Sequence, residues 1–191
     1  MPATDPNQVR LTGENSFIRL LEQENGPQLT RVSHWRILHS PGGEGHVLFI
    51  QSDVTDNAVQ IYSDNVAMTR WLQGEIESLL YPAFAGETIP VIEAVFSKSG
   101  DSKSAWTETV KAGDAQITLT WSDFAEPFML TIAAGSVAGR PHGVYSCFIP
   151  ARHAQVKLNE RVAAGRPFPQ KRGDKEGSTA CLALSETWVR P

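Results

Sequence analysis

The groups in this chain that could carry chemistry include five histidines, scattered arginines and some of its 21 acidic residues. His39 and His46 flank a Pro41-Gly42-Gly43 turn. In a hairpin closed over Ser40–Gly45 the two face each other, with Cβ atoms about 4.5–5.5 Å apart. That is close enough to share a metal ion, but zinc takes three or four protein ligands. Glu44 in the turn or His142 from elsewhere would have to complete the set. His34 lies an odd number of residues from His39 and so on the opposite face of a strand. No metal and no cofactor is expected, and His39 and His46 stay an incomplete pair.

His142 sits in the compact segment Gly139-Arg140-Pro141-His142-Gly143. An imidazole titrates near neutral pH and suits general acid–base work. His142 and His34 are therefore the candidate catalytic groups, with Arg36 and Arg140 beside them as ligand-binding groups. His153, next to Arg152, reads as a solvated turn residue. Asp123 and Glu126 resemble paired carboxylates, but such a pair needs a cleft between its members, and both fall in a predicted turn.

From Pro150 to Gly177 the basic residues Arg152, Lys157, Arg161, Arg166, Lys171, Arg172 and Lys175 outnumber Glu160, Asp174 and Glu176, in a chain of net charge −4. Within it, 161–178 reads as a long mobile loop punctuated by Gly165, Pro167, Pro169, Gly173 and Gly177. Its Arg166 and Arg172 could close over an anion, because a guanidinium binds carboxylate or phosphate through two parallel hydrogen bonds. A solvated loop of mixed charge is the ordinary alternative. G-x-S-x-G, Walker, H-E-x-x-H and C-x-x-C motifs are absent. Gly139–Gly143 is no phosphate cradle, since Pro141 removes a donor.

The elements holding these groups follow from alternation. Ile117, Leu119 and Trp121 fall opposite Ile132, Leu130 and Phe128 across Ser122–Pro127. Tyr145, Cys147 and Ile149 fall opposite Leu158, Val156 and Ala154 across Pro150–His153. Trp35, Ile37 and His39 fall opposite Ile50, Leu48 and His46. Further strands are read at 58–62, 89–96, 105–111, 115–122 and 180–189; 17–24 fits a short helix through Phe17, Leu20, Leu21 and Glu24 but reads as a strand before the Asn25-Gly26 turn. One long helix is predicted at about 64–80: Ser63 or Asp64 caps it, Met68, Leu72, Ile76 and Leu79 share a face, and Pro82 closes it. Residues 1–12 read as a loose arm.

The fold class is thus mainly β, a sandwich or barrel of antiparallel hairpins with one long helix, with α+β as the alternative. The 191 residues suit a single domain. An acidic chain of pI about 5.7 lacks the electrostatic footprint of a nucleic-acid binder. No apolar run reaches the ~18 residues of a membrane span. Met1–Arg10 lacks a secretory signal pattern, so a cytoplasmic location is expected. Cys147 and Cys181 read as small buried hydrophobes.

Three functions compete. The first is a small-molecule binder or acid–base enzyme with a barrel-like pocket, its ligand a small anion. The second is a non-enzymatic interaction or oligomerisation subunit, such as a homodimer. The third is a cupin-like metal-dependent enzyme, which needs histidines that converge.

Overall fold

Apolar–polar alternation over most of the chain produces one rolled sheet. The computed structural model describes residues 8–190. Its strands are β1 (Val9–Leu21), β2 (Gln28–His39), β3 (Gly45–Gln51), β4 (Val59–Ser63), β5 (Val91–Glu93), β6 (Val95–Gly100), β7 (Ala105–Ala112), β8 (Ala115–Phe124), β9 (Phe128–Ile132), β10 (Gly143–Leu158), β11 (Arg161–Val162), β12 (Pro169–Arg172), β13 (Lys175–Ser178) and β14 (Ala180–Val189). The main sheet runs β5-β4-β3-β2-β1-β14-β10-β8-β7-β6, with β9 and β11 attached to β10 and β12-β13 forming a separate hairpin. The β4–β5 pair is parallel and the rest are antiparallel. The two edge strands, β5 and β6, are separated only by Ala94. The chain itself therefore draws the edges together into a nearly closed, barrel-like sheet.

Side chains fill the inside of that barrel: Ile18, Val32, Leu48, Ile50, Leu119, Trp121, Val156 and Leu182 form one buried cluster. The outer face of β2–β4 carries a second, built on Trp35, Ile37, Val47, Phe49 and Ile61. A helical segment, 66–80, lies across it and buries Met68, Leu72 and Ile76. That segment starts as α1 (Val66–Leu72), passes through a π-helical turn (Gln73–Glu77) and ends in α2 (Ser78–Leu80). Asn65, rather than Ser63 or Asp64, caps it, its side chain accepting from Met68 N–H at 3.1 Å. The π turn adds a residue to the turn. As a result Leu80 rather than Leu79 packs on the cluster, and Glu77 is fully buried. No helix among the described residues is long and apolar enough to cross a membrane.

The predicted pairings need correction. The first hairpin forms, but Trp35 lies opposite Val47, Arg36 opposite His46 and Ile37 opposite Gly45. This is a slip of three residues, and an odd slip exchanges faces. His39 consequently lies opposite Thr12 of β1, not His46. The other two hairpins do not form. Residues 150–153 do not turn, because β10 is one strand of 16 residues. Nor does 122–127 reverse the chain: β8 and β9 lie in line along β10, with Ala151 opposite Phe124 and Phe148 opposite Phe128. The β8–β9 side holds one residue more than β10 between Phe124 and Phe128, where four steps face three. Residues 161–178, expected as one mobile loop, hold β11 and the β12–β13 hairpin. Of the expected loose arm, residues 1–7 lie outside the described residues, while 9–12 belong to β1.

Candidate functional site

A cleft of about 270 Å³ lies on the outer face of the barrel, past the end of the helical segment. Its floor is Asn15, Phe17 and Arg19 of β1 with Arg31 and Ser33 of β2. These alternate residues share a face, and Arg19 lies directly opposite Arg31. Leu130 and Ile132 of β9, Val144 and Phe148 of β10, and Trp188 make apolar walls. Arg140 and His142 reach in from the connection before β10, and Arg172 from β12.

Four arginines thus converge. The ion pairs among the described residues engage Arg10, Arg36, Arg152, Arg161, Arg190 and Lys175, but none of these four. Arg19 donates to the amide oxygen of Gln170. Arg31 stacks on Tyr81 at 5.0 Å, and Arg172 lies over Phe17 at 6.0 Å. The Nε atoms of Arg31 and Arg172 are buried with no hydrogen-bond partner. Burial, then repulsion from Arg31 and Arg172, lowers the Arg19 pKa to about 10. Arg31 is also lowered by burial; Glu77 and Tyr81 oppose this, and Arg172 and Arg140 add to it. The cleft is therefore short of negative charge.

A β-bulge sets the opposite end. Tyr145 pairs with Thr187 but Cys147 with Leu184, so β14 holds one residue more than β10 over that span. The extra residue is Ser185, at φ 54. Before it, the odd-numbered Cys181 and Ala183 share the cleft face with Phe17 and Phe148. After it, Glu186 and Trp188 take that face, an example of a bulge re-aiming side chains. Gly13 accommodates the distortion on the next strand, where a Cβ would collide with the Arg36 carbonyl oxygen. Glu186 is 4% exposed. It accepts hydrogen bonds from Trp188 Nε1 at 2.6 Å and Ser146 Oγ at 3.1 Å. Burial pushes its pKa up to about 8; Trp188 and Ser146 oppose this, and nearby Glu77 adds to it. Burial likewise raises Glu77, against Ser33, Arg31 and Trp35.

The predicted site residues divide. His142, Arg140 and Arg172 line the cleft. His142 is buried, with Nε2 3.0 Å from Glu75 Oε1 and Nδ1 unpartnered. Burial alone would raise the Glu75 pKa, but His142, Arg190 and Arg10 outweigh it and hold it below the ordinary value. His34 and Arg36 are elsewhere, on the inner face near the barrel mouth. Burial, then the charges of His46 and Lys98, depresses His34 to about 3, so it is neutral at pH 7 and unsuited to acid–base exchange there. Arg36 is paired with Glu14 at 3.3 Å. Arg166 is exposed and stacks on Phe168 at 4.6 Å, outside the cleft. His46 bonds Asp64 at 2.7 Å, and His39 is exposed. Among the described residues no three His, Cys, Asp or Glu side chains converge as a metal site.

Sequence reasoning missed Arg19, Arg31 and Glu186, which read as polar positions on alternating strands. One signal for Glu186 is a tryptophan two residues away on the same strand face, its indole N–H aimed at the acid. Trp106 and Glu108 repeat the arrangement at 2.8 Å. No family model, no curated protein and no solved structure matches the chain.

Proposed function

We propose that the protein binds a small organic anion, a carboxylate on an apolar body, in the outer cleft, with the barrel as its rigid scaffold. One observation carries this: among the described residues the four arginines lining the cleft form no ion pair, and two of them bury an Nε–H that has no hydrogen-bond partner there. A buried, unsatisfied donor is costly, about 1–3 kcal/mol and more for a charged group. A bound carboxylate removes that cost. Phe17, Phe148, Leu130 and Ile132 supply the surface for the apolar body. At roughly 30 Å³ per water-sized group, the 270 Å³ cleft takes about nine non-hydrogen atoms, which makes octanoate a suitable probe.

Isothermal titration calorimetry with octanoate tests the reading. Arg31→Met and Arg172→Met should each weaken binding by about 10- to 100-fold, the loss of a charged hydrogen bond. Undiminished binding in both variants overturns it.

A second reading, self-association, is favoured by β9. Among the described residues this strand pairs only with β10, which leaves its other edge without a strand partner there, and Met129 beside it is 61% exposed. Sedimentation of the purified protein decides it: a dimer supports the reading and a monomer removes it. We place the protein in the cytoplasm, on the support of two unpaired cysteines, Cys147 and Cys181.

A further inference from the structure

The charges of the cleft do not balance, whatever the protonation state of its acids. Arg19, Arg31, Arg140 and Arg172 line it, each half-buried. Among the described residues none of the four forms an ion pair. Glu186 is the one acid in the lining among those residues, and Glu77 lies behind Arg31. Glu75, beyond the cleft, is already held by Arg10, Arg190 and His142. With Glu77 and Glu186 both ionised, four positive charges face two negative ones, an excess of two. A proton on either acid, or on His142, only raises it. A monocarboxylate therefore leaves at least one positive charge unanswered in a half-buried site. Its two oxygens also accept from two guanidinium groups at most when each donates two parallel hydrogen bonds, and four converge here.

The arginines gather at one end. Arg19 lies directly opposite Arg31. Arg172 repels both, and Arg140 repels Arg31. Glu186 pairs with Gly13, beyond Phe17 and Asn15 along β1 from Arg19. A second carboxylate at the far end of a ligand would meet that acid, whereas one beside the first meets the spare arginines.

We propose that the cleft takes a dianion: an organic acid with two carboxylates at one end, on the same carbon or on adjacent ones, and an apolar tail at the other. The inference rests on the anion-binding reading and narrows it. Two carboxylates cancel the minimum excess of charge and offer oxygens enough for four guanidinium groups. The tail runs along Phe17 and Phe148 towards Glu186.

Calorimetry at neutral pH with hexanoate, butylmalonate and hexanedioate tests the proposal. Butylmalonate is hexanoate with a second carboxylate on the carbon that bears the first. It should bind about 10- to 100-fold tighter than hexanoate, the fold-change of one added charged hydrogen bond. Hexanedioate carries the same two charges at opposite ends and should gain nothing over hexanoate. Arg19→Met removes one positive charge and should shrink the affinity ratio of butylmalonate to hexanoate. Arg140→Met, in the connection before β10, should do the same and serves if the Arg19 variant fails to fold. Butylmalonate no tighter than hexanoate, with octanoate still sensitive to Arg31→Met, overturns this inference and leaves the anion reading standing. So does an advantage that hexanedioate matches, or one that neither variant shrinks. Failure of octanoate, hexanoate and butylmalonate alike to bind overturns both.

Discussion

Replacing Glu186 by glutamine should change how stability depends on pH, and the size follows from the burial of this carboxyl. Its ordinary pKa of 4.5 rises to about 8 in the folded protein. Between these values the folded state holds a proton that the unfolded chain has released, so stability falls as pH rises through this window. The favourable contribution is complete below 4.5 and gone above about 8. A difference of about 3.5 units corresponds to on the order of 5 kcal/mol, or roughly 1.4 kcal/mol per pH unit. Glutamine does not titrate, fits the same space, and can still accept from Trp188. Glu186→Gln should therefore lose stability relative to the native protein at low pH and gain steadily on it as pH rises. Urea unfolding of both proteins at intervals from roughly pH 5 to pH 9 measures the difference. A difference that stays flat across that range would refute the assignment of a protonated, buried Glu186.

Two further perturbations probe the positions of single residues. His34, depressed from 6.5 to about 3 by burial and then by His46 and Lys98, resists protonation in the folded state, so stability is lost as pH falls from 6.5 towards 3 by up to about 5 kcal/mol. His34→Phe, which suits the site beside Phe96, should flatten that acid limb in urea melts near pH 4, and an unchanged limb would contradict the burial of His34. At Ser185 the left-handed backbone tolerates glycine but penalises a β-branched side chain. Ser185→Val should lower stability by about 1–2 kcal/mol while Ser185→Gly does not, and equal thermal melts for the two would remove the bulge.

Much of the architecture was legible because alternation is a local property. The strands around Trp35, Leu48, Leu119, Val156 and Leu182, and the helical face of Met68, Leu72 and Ile76, follow from spacing alone. Partner choice is not local. Ile117–Trp121 matches Phe128–Ile132 in apolar pattern, yet both stretches pair with β10, because the chain runs straight on past Phe124 with one extra residue before Phe128. The apolar groups of β8 consequently face the barrel interior while Phe128, Leu130 and Ile132 face outward. The site was half legible for the same reason. Arg140, His142 and Arg172 stood out by charge in glycine- and proline-rich segments. Arg19 and Arg31 become neighbours only through the β1–β2 register, and Glu186 reaches the cleft only through a bulge at a serine.

The most direct test of an anion-binding cleft is a crystal structure of the protein grown with octanoate. The carboxylate should lie within about 3 Å of guanidinium nitrogens of Arg31 and Arg172, with the alkyl chain along Phe17 and Phe148 towards Glu186. Octanoate bound elsewhere, or an unliganded cleft with both arginines turned to solvent, would contradict the account.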